Sequence, residues 1–146
     1  MLRRHFFLIV LLTALLPAGA ARAGEVVGTW ATEGEKSHVV IAACDDRLCG
    51  NIVWLKEPLD DKGKPKHDTN NPDAALQGRP IIGLPLLADF VAGEEPDIWE
   101  DGTIYNPEDG ETYACTLTLL DANTLKVRGY VGLPLFGKTQ IWTRIN

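Results

Sequence analysis

Residues 112–131 read TYACTLTLLDANTLKVRGYV, and the reading of this stretch decides the fold. Tyr113, Cys115, Leu117 and Leu119 alternate with Thr112, Ala114, Thr116 and Thr118. Successive side chains of a strand point to opposite faces, so this alternation marks a strand with one face in a core and the other in water. Asp121-Ala122-Asn123 then supplies turn formers whose short polar side chains bond to nearby backbone. Beyond the turn, Leu125, Val127 and Val131 share a face. The stretch predicts two antiparallel strands joined by a tight turn, with Tyr113, Leu117, Leu119 and Val127 facing inward.

The same pattern recurs to either side. Strands are predicted over 26–31, over 36–43 with Val39 and Ile41 inward, and over 51–56, 99–105 and 138–145. Asp101-Gly102 is a hairpin or bulge signal, and Asn106-Pro107-Glu108-Asp109-Gly110 is a turn by composition. On the last strand Lys138, Gln140, Trp142 and Arg144 share a face, and its polar members place that face outward. Gly-Leu-Pro-Leu at 83–86 and again at 132–135 reads as two apolar turns near a rim. Helical periodicity is nowhere sustained in the mature region, and only Ala74–Leu76 reads as a single turn of helix. Short strands with turns at close spacing predict an all-β domain, a small antiparallel barrel of about eight strands that leaves no open edge. Residues 57–79 break the pattern, being dense in Asp, Lys, Asn and Pro. Loops longer than about 15 residues are uncommon in compact domains. Two readings stand: a solvated excursion, or a polar surface site around Asp68, Asn71, Asp73 and Arg79.

The N-terminus reads as an address. Arg3 and Arg4 precede an apolar run from Phe6 to Leu16, Pro17 ends it, and Ala21-Arg22-Ala23 has the small-x-small form of a signal-peptidase site. The run is shorter than the roughly 20 apolar residues that span a bilayer. Gly24 rather than a cysteine follows the expected cut, which argues against a lipid anchor. The expectation is a signal peptide over 1–23, a single domain over 24–146, and a periplasmic or secreted protein without a membrane span. Losing Arg3, Arg4 and Arg22 leaves 11 Lys+Arg against 20 Asp+Glu, a net charge of −9. Such a surface repels phosphate backbones, so nucleic acid is not an expected partner. In an oxidising compartment Cys44 and Cys49, flanking a four-residue turn, are expected to form a disulfide, with two unpaired thiols as the alternative. Cys115 reads as a small core hydrophobe.

Chemistry is harder to find. His38 sits in a strand and His67-Asp68 in the polar loop; the latter lacks the glycine and terminal glutamate of a calcium loop, so neither metal nor cofactor is expected. No nucleophile elbow, phosphate-binding glycine loop or zinc-protease helix is present. Catalysis is therefore not the leading reading, and a hydrolase assembled by tertiary proximity ranks third.

Gly28-Thr29-Trp30, the run Cys49-Gly50-Asn51-Ile52-Val53-Trp54-Leu55, Asn71-Pro72-Asp73, Asp101 to Pro107, Leu125 to Gly132 and Trp142-Thr143-Arg144 occur in this order. In them the chain resembles a bacterial family of small secreted proteins catalogued as domain of unknown function 2147. The resemblance implies a secreted β fold and no assigned chemistry. Gly28-x-Trp30 on the first strand and Arg144 on the last are similar to the lipocalin and fatty-acid-binding barrels. There the Trp closes one end and the Arg lies across it, which implies structural roles for Gly28, Trp30 and Arg144.

The leading expectation is a calycin-like barrel that binds a small apolar or amphipathic molecule without chemistry. Its binding residues would be Val39, Ile41, Trp54, Tyr113, Leu117, Leu119, Val127 and Phe136. The second is an envelope interaction module with a filled barrel and a polar surface site at Asp68, Asn71, Asp73 and Arg79.

Overall fold

The computed structural model describes residues 23–146; the expected signal peptide lies outside them except for Ala23. A helical turn, Ala23–Val26, leads into β1 (Gly28–Ala31), β2 (Ser37–Cys44), β3 (Arg47–Leu55), β4 (Pro85–Ala92), β5 (Ile98–Asn106), β6 (Glu111–Asp121), β7 (Thr124–Tyr130) and β8 (Lys138–Arg144). Each strand pairs antiparallel with the next, and β1 pairs with β8, closing an eight-stranded barrel. At one end lie the tight turns after β2, β4 and β6, together with the helical turn and the C-terminus. At the other lie the β1–β2 turn, the long β3–β4 connection, the β5–β6 turn and the apolar β7–β8 turn. The alternation read in 112–131 holds, with Leu117 opposite Val127 and Leu119 opposite Leu125, all buried.

The interior is filled. Trp30, Val39, Ile41, Leu87, Phe90, Trp99, Cys115, Leu117, Leu125, Val127 and Trp142 are each no more than 2% exposed and form one core cluster. Space is adjusted by glycine: a Cβ on Gly102 would run into the Phe90 ring. The Asp101-Gly102 signal is thus a bulge inside β5, Asp101 taking φ 59°, rather than a hairpin. Cys44 and Cys49 form the disulfide across the β2–β3 hairpin. Burial pushes the thiol of Cys115 up to about 12, so it stays a neutral packing group.

One end is plugged by Trp30. Its indole N–H donates to the Val26 carbonyl at 2.9 Å, and the Arg144 guanidinium lies 4.3 Å from the ring centroid. Arg144 also donates to the carbonyls of Ala122 at 2.6 Å, Val27 at 3.0 Å and Glu25. A planar fork of donors suits this, satisfying three carbonyls while one face stacks on the indole. Gly28 is required beside it. At φ 143° it sits where side chains are strained, and a Cβ would lie 2.6 Å from the guanidinium and 2.7 Å from the Asn146 carbonyl oxygen.

Two expectations are corrected. Arg144 and Trp142 face the interior, not solvent; Trp142 pairs with buried Leu125 and donates to Gln140 at 2.9 Å. The polar residues of that face sit at the far mouth of the barrel, where Lys138 and Gln140 stay exposed while pointing inward. Residues 83–86 are not merely an apolar turn, because they lead into β4, a strand the alternation did not reveal. Leu87 and Phe90 fill the interior while Leu86 is buried on the outer wall, and a bulge at Asp89, φ 66°, breaks the period. A strand covered on both faces reads as a continuous apolar run.

Arg144→Met keeps the apolar stem but strips three carbonyls of their donor and the indole of its cation. Urea unfolding should show a loss of about 2 kcal/mol or more; an unchanged midpoint would contradict the plug.

Candidate functional site

Most of the 57–79 segment is exposed, as a solvated excursion would be, but it is pinned to the barrel at buried Asp68 and Asn71. Asp60 ties its own turn by accepting from the backbone of Lys62 and Lys64 at 2.9 and 3.0 Å. Leu59 bridges to Pro65 and His67 to Pro80, folding the connection into a strap. The strap crosses outside the barrel, over β4, β5 and β6. Its fixed point is Asp68, fully buried. One carboxylate oxygen accepts from the Tyr105 hydroxyl at 2.7 Å; the other accepts from Asn71 Nδ2 and Arg79 Nε, both at 2.8 Å. Asn71 Oδ1 accepts from the Asp73 backbone at 2.8 Å, its carbonyl from Gln77 at 3.0 Å, and Asp73 caps the helical turn Ala74–Leu76. Arg79 further lies over the Tyr105 ring, 5.4 Å from its centroid.

Electrostatics follow from the geometry. Burial is the strongest influence on Asp68 and favours its neutral form. The three donors and the Arg79 charge together outweigh it, holding the carboxyl below its ordinary value. Burial, then the bond to Asp68, pushes the Tyr105 phenol up. Both oxygens of Asp68 are engaged by donors and its side chain is fully buried, so the group acts as a latch between strap and wall.

Between strap and wall lies a recess of about 290 Å³. Its floor is Pro85, Leu86 and Ala88 of β4 and Thr103 and Tyr105 of β5, with Thr112 of β6 beside them; Asn71, Pro72, Leu76 and Arg79 of the strap overhang it. Arg79 Nε is held by Asp68, and its terminal nitrogens have no partner among the described residues. A second recess of about 300 Å³ lies beside the β1–β2 turn, between Thr32, Glu33 and Glu35 on one side and Ile141, Thr143 and Arg144 on the other. Among the described residues no group of three or more His, Cys, Asp or Glu could hold a metal ion. No helix among them is long and apolar enough to cross a membrane.

The residues expected to line an interior site do not gather around one. Val39, Ile41, Leu117, Leu119 and Val127 are packed core. Tyr113 is near the mouth, its hydroxyl donating to Asp109 at 2.7 Å. Trp54 is on the outer wall, 41% exposed and stacked on His38 at 4.2 Å, because β3 has a bulge where it passes His38 and Val39. Phe136 projects from the β7–β8 turn. The polar set is brought together: Asp68, Asn71 and Arg79 meet directly, and Asp73 supports Asn71. Tyr105 was the member the sequence did not place in it. Its position opposite Thr112 on the outer register, with a large apolar ring, was the available signal of a covered outer wall.

Comparison with known proteins agrees with this architecture. Protein HP1028 from the human pathogen Helicobacter pylori, described as belonging to the lipocalin family, superposes with a TM-score of 0.72 over 83% of each chain, at 24% identity. A likeness at that identity shows the fold: an eight-stranded, lipocalin-like barrel. No curated protein matches the sequence. The family model described as "Uncharacterized protein conserved in bacteria (DUF2147)" matches residues 28–144, β1 through β8, and the chain belongs to that family.

Proposed function

We propose that this protein is a non-catalytic binding protein of the cell envelope that takes a small amphipathic molecule in the recess outside its barrel. The observation that carries the reading is the pairing of a filled interior with an outer recess whose apolar floor lies beside the guanidinium of Arg79. Specific small-molecule sites combine that kind of floor with a few placed polar groups, and typically hold about 300–1,000 Å³. At about 290 Å³ the recess suits a compact ligand. An acceptor oxygen on the ligand would meet the terminal nitrogens of Arg79, and its apolar part would rest on Pro85, Leu86 and Leu76. The lipocalin-like frame supports ligand binding as a class, while the packed core moves the expected location from the interior to the wall. The disulfide and the leader-like N-terminus support placement in an oxidising, exported compartment.

The strap is held to the wall by the Asp68 latch, so the shape of the recess depends on one ionised carboxylate. Its folded-state value lies below the ordinary 3.8, so its stabilisation is fully present above that value and is lost as pH falls through the folded one. Asp68→Asn should lower unfolding free energy by roughly 2–3 kcal/mol at pH 7. In urea titrations the gap to the parent should narrow below about pH 4; a gap that stays constant down to pH 2 would contradict the latch.

The binding reading is tested by native mass spectrometry of the protein recovered from the cells that make it. A small molecule should accompany the parent protein and be absent from Ala88→Trp and Thr112→Trp, which fill the recess from two strands, both checked for strand content by circular dichroism. Repeated bare spectra of the parent, or a ligand retained by both folded variants, would overturn it.

A further inference from the structure

The β7–β8 hairpin differs from the rest of the molecule in charge. From Thr124 to Asn146 the chain carries Lys126, Arg128, Lys138 and Arg144 and no Asp or Glu, although the protein as a whole is acidic. Arg144 is spent on the plug at the opposite end, leaving three cations on the hairpin arms. At the tip, Val131, Leu133, Leu135 and Phe136 are between 63% and 78% exposed.

The tip is built rather than slack. Gly132 turns the chain at φ 74°. Pro134 opens a short 3-10 turn, Pro134–Phe136. Gly137 lets the segment close on β7, where a Cβ would lie 2.5 Å from the Gly129 carbonyl oxygen and 3.0 Å from Tyr130 Cβ. Arg128 ties the turn down, donating to the carbonyls of Pro134 at 2.8 Å and Leu135 at 3.3 Å, and to Thr139 Oγ1 at 2.7 Å. The carbonyls of Leu133, Pro134 and Leu135 are thereby bonded internally while the apolar side chains stay exposed.

We propose that this tip is a membrane-docking element, in which Leu133, Leu135 and Phe136 enter the interface of an anionic bilayer and the hairpin cations face its headgroups. Three features favour a lipid surface over a protein partner. The patch is a projecting turn and not a concave or flat face, and a fluid interface needs no matching pocket. Its carbonyls are partly bonded by the protein itself, which lowers the cost of leaving water. Cations flank the apolar residues, the composition that holds peripheral segments at anionic interfaces. The neighbouring β1–β2 turn carries Glu33 and Glu35, and Glu33 accepts from the Ile141 backbone. The β5–β6 turn and the start of β6, at the same end, add Glu108, Asp109 and Glu111, so any attraction to anionic lipid has to come from the cations of the hairpin arms.

The experiment is co-sedimentation with vesicles of phosphatidylethanolamine containing phosphatidylglycerol. The protein carries the N-terminus that mass spectrometry finds on it in cells, so an uncleaved leader is not mistaken for the tip. The parent should bind these vesicles and lose binding as salt rises. Leu135→Ser/Phe136→Ser should bind at least ~10-fold more weakly, while Val53→Ser, which removes an exposed apolar residue of the β3 wall, should leave binding unchanged. Lys126→Glu/Lys138→Glu should weaken binding to the anionic vesicles more than to neutral ones. Absent binding by the parent overturns the proposal, as does a folded tip variant that binds equally well. So does a parent that instead self-associates through the tip, seen as a dimer that the tip variant dissolves without any vesicle binding.

Discussion

Closure of the barrel between Trp30 and Arg144 is the constraint on which the rest of the structure depends. β1 and β8 share only a short register, Trp30 opposite Arg144 and Ala31 opposite Thr143. The seam is reinforced by the backbone bonds of Thr29 with Asn146 and Ile145 and by the guanidinium that joins the helical turn, the β6–β7 turn and the indole. Once eight strands close, interior volume is nearly fixed, since an eight-stranded barrel is just wide enough to be filled by side chains or to hold one small guest. Here four tryptophans are available, and three of them, Trp30, Trp99 and Trp142, point inward together with Phe90. Rings of that size fill the taper, and the proposed binding is accordingly assigned to the outer wall.

The outer wall is where the long connection does its work. A wall of antiparallel strands ordinarily meets water on its outer face, yet Leu86 and Tyr105 on that face are buried. The strap covers them, and the carboxylate of Asp68 anchors the cover by receiving donors from the strap and from β5 at once. An isolated buried charge would be costly, and this one is compensated by three hydrogen bonds and an arginine. The arrangement leaves Arg79 oriented but only partly used, with its fork held at one nitrogen and turned toward the recess.

Much of the fold was legible because alternation is a local signal. The β6–β7 hairpin, the disulfide hairpin and the all-β class all follow from neighbouring residues, and resemblance to known barrels added the Trp30–Arg144 pair. What was not legible involved a second covering layer or a break in the period. β4 was hidden because Leu86 is buried on its outer face, as Leu87 and Phe90 are on its inner one, and Asp89 interrupts its alternation. The face of β8 was inverted because its inward polar residues sit at a mouth where water reaches them. Trp54, expected among the binding residues, is carried to the outer wall by the bulge opposite His38 and Val39, a break in period that the residues themselves do not announce. The polar residues of the strap were singled out by composition, but their partner Tyr105 lies 37 residues from Asp68, and only folding brings the two together.

The central claim is that the interior is dry packing and that ligand chemistry belongs to the wall beneath the strap. It is tested most directly by methyl-resolved NMR during titration with a medium-chain carboxylate such as decanoate. Resonances of Leu76, Leu86 and Ala88 should move with the added probe, those of Leu117, Leu125 and Val127 should stay still, and Arg79→Ala should abolish the response. Shifts centred on Leu117 and Val127 instead would place the guest inside the barrel and contradict the account.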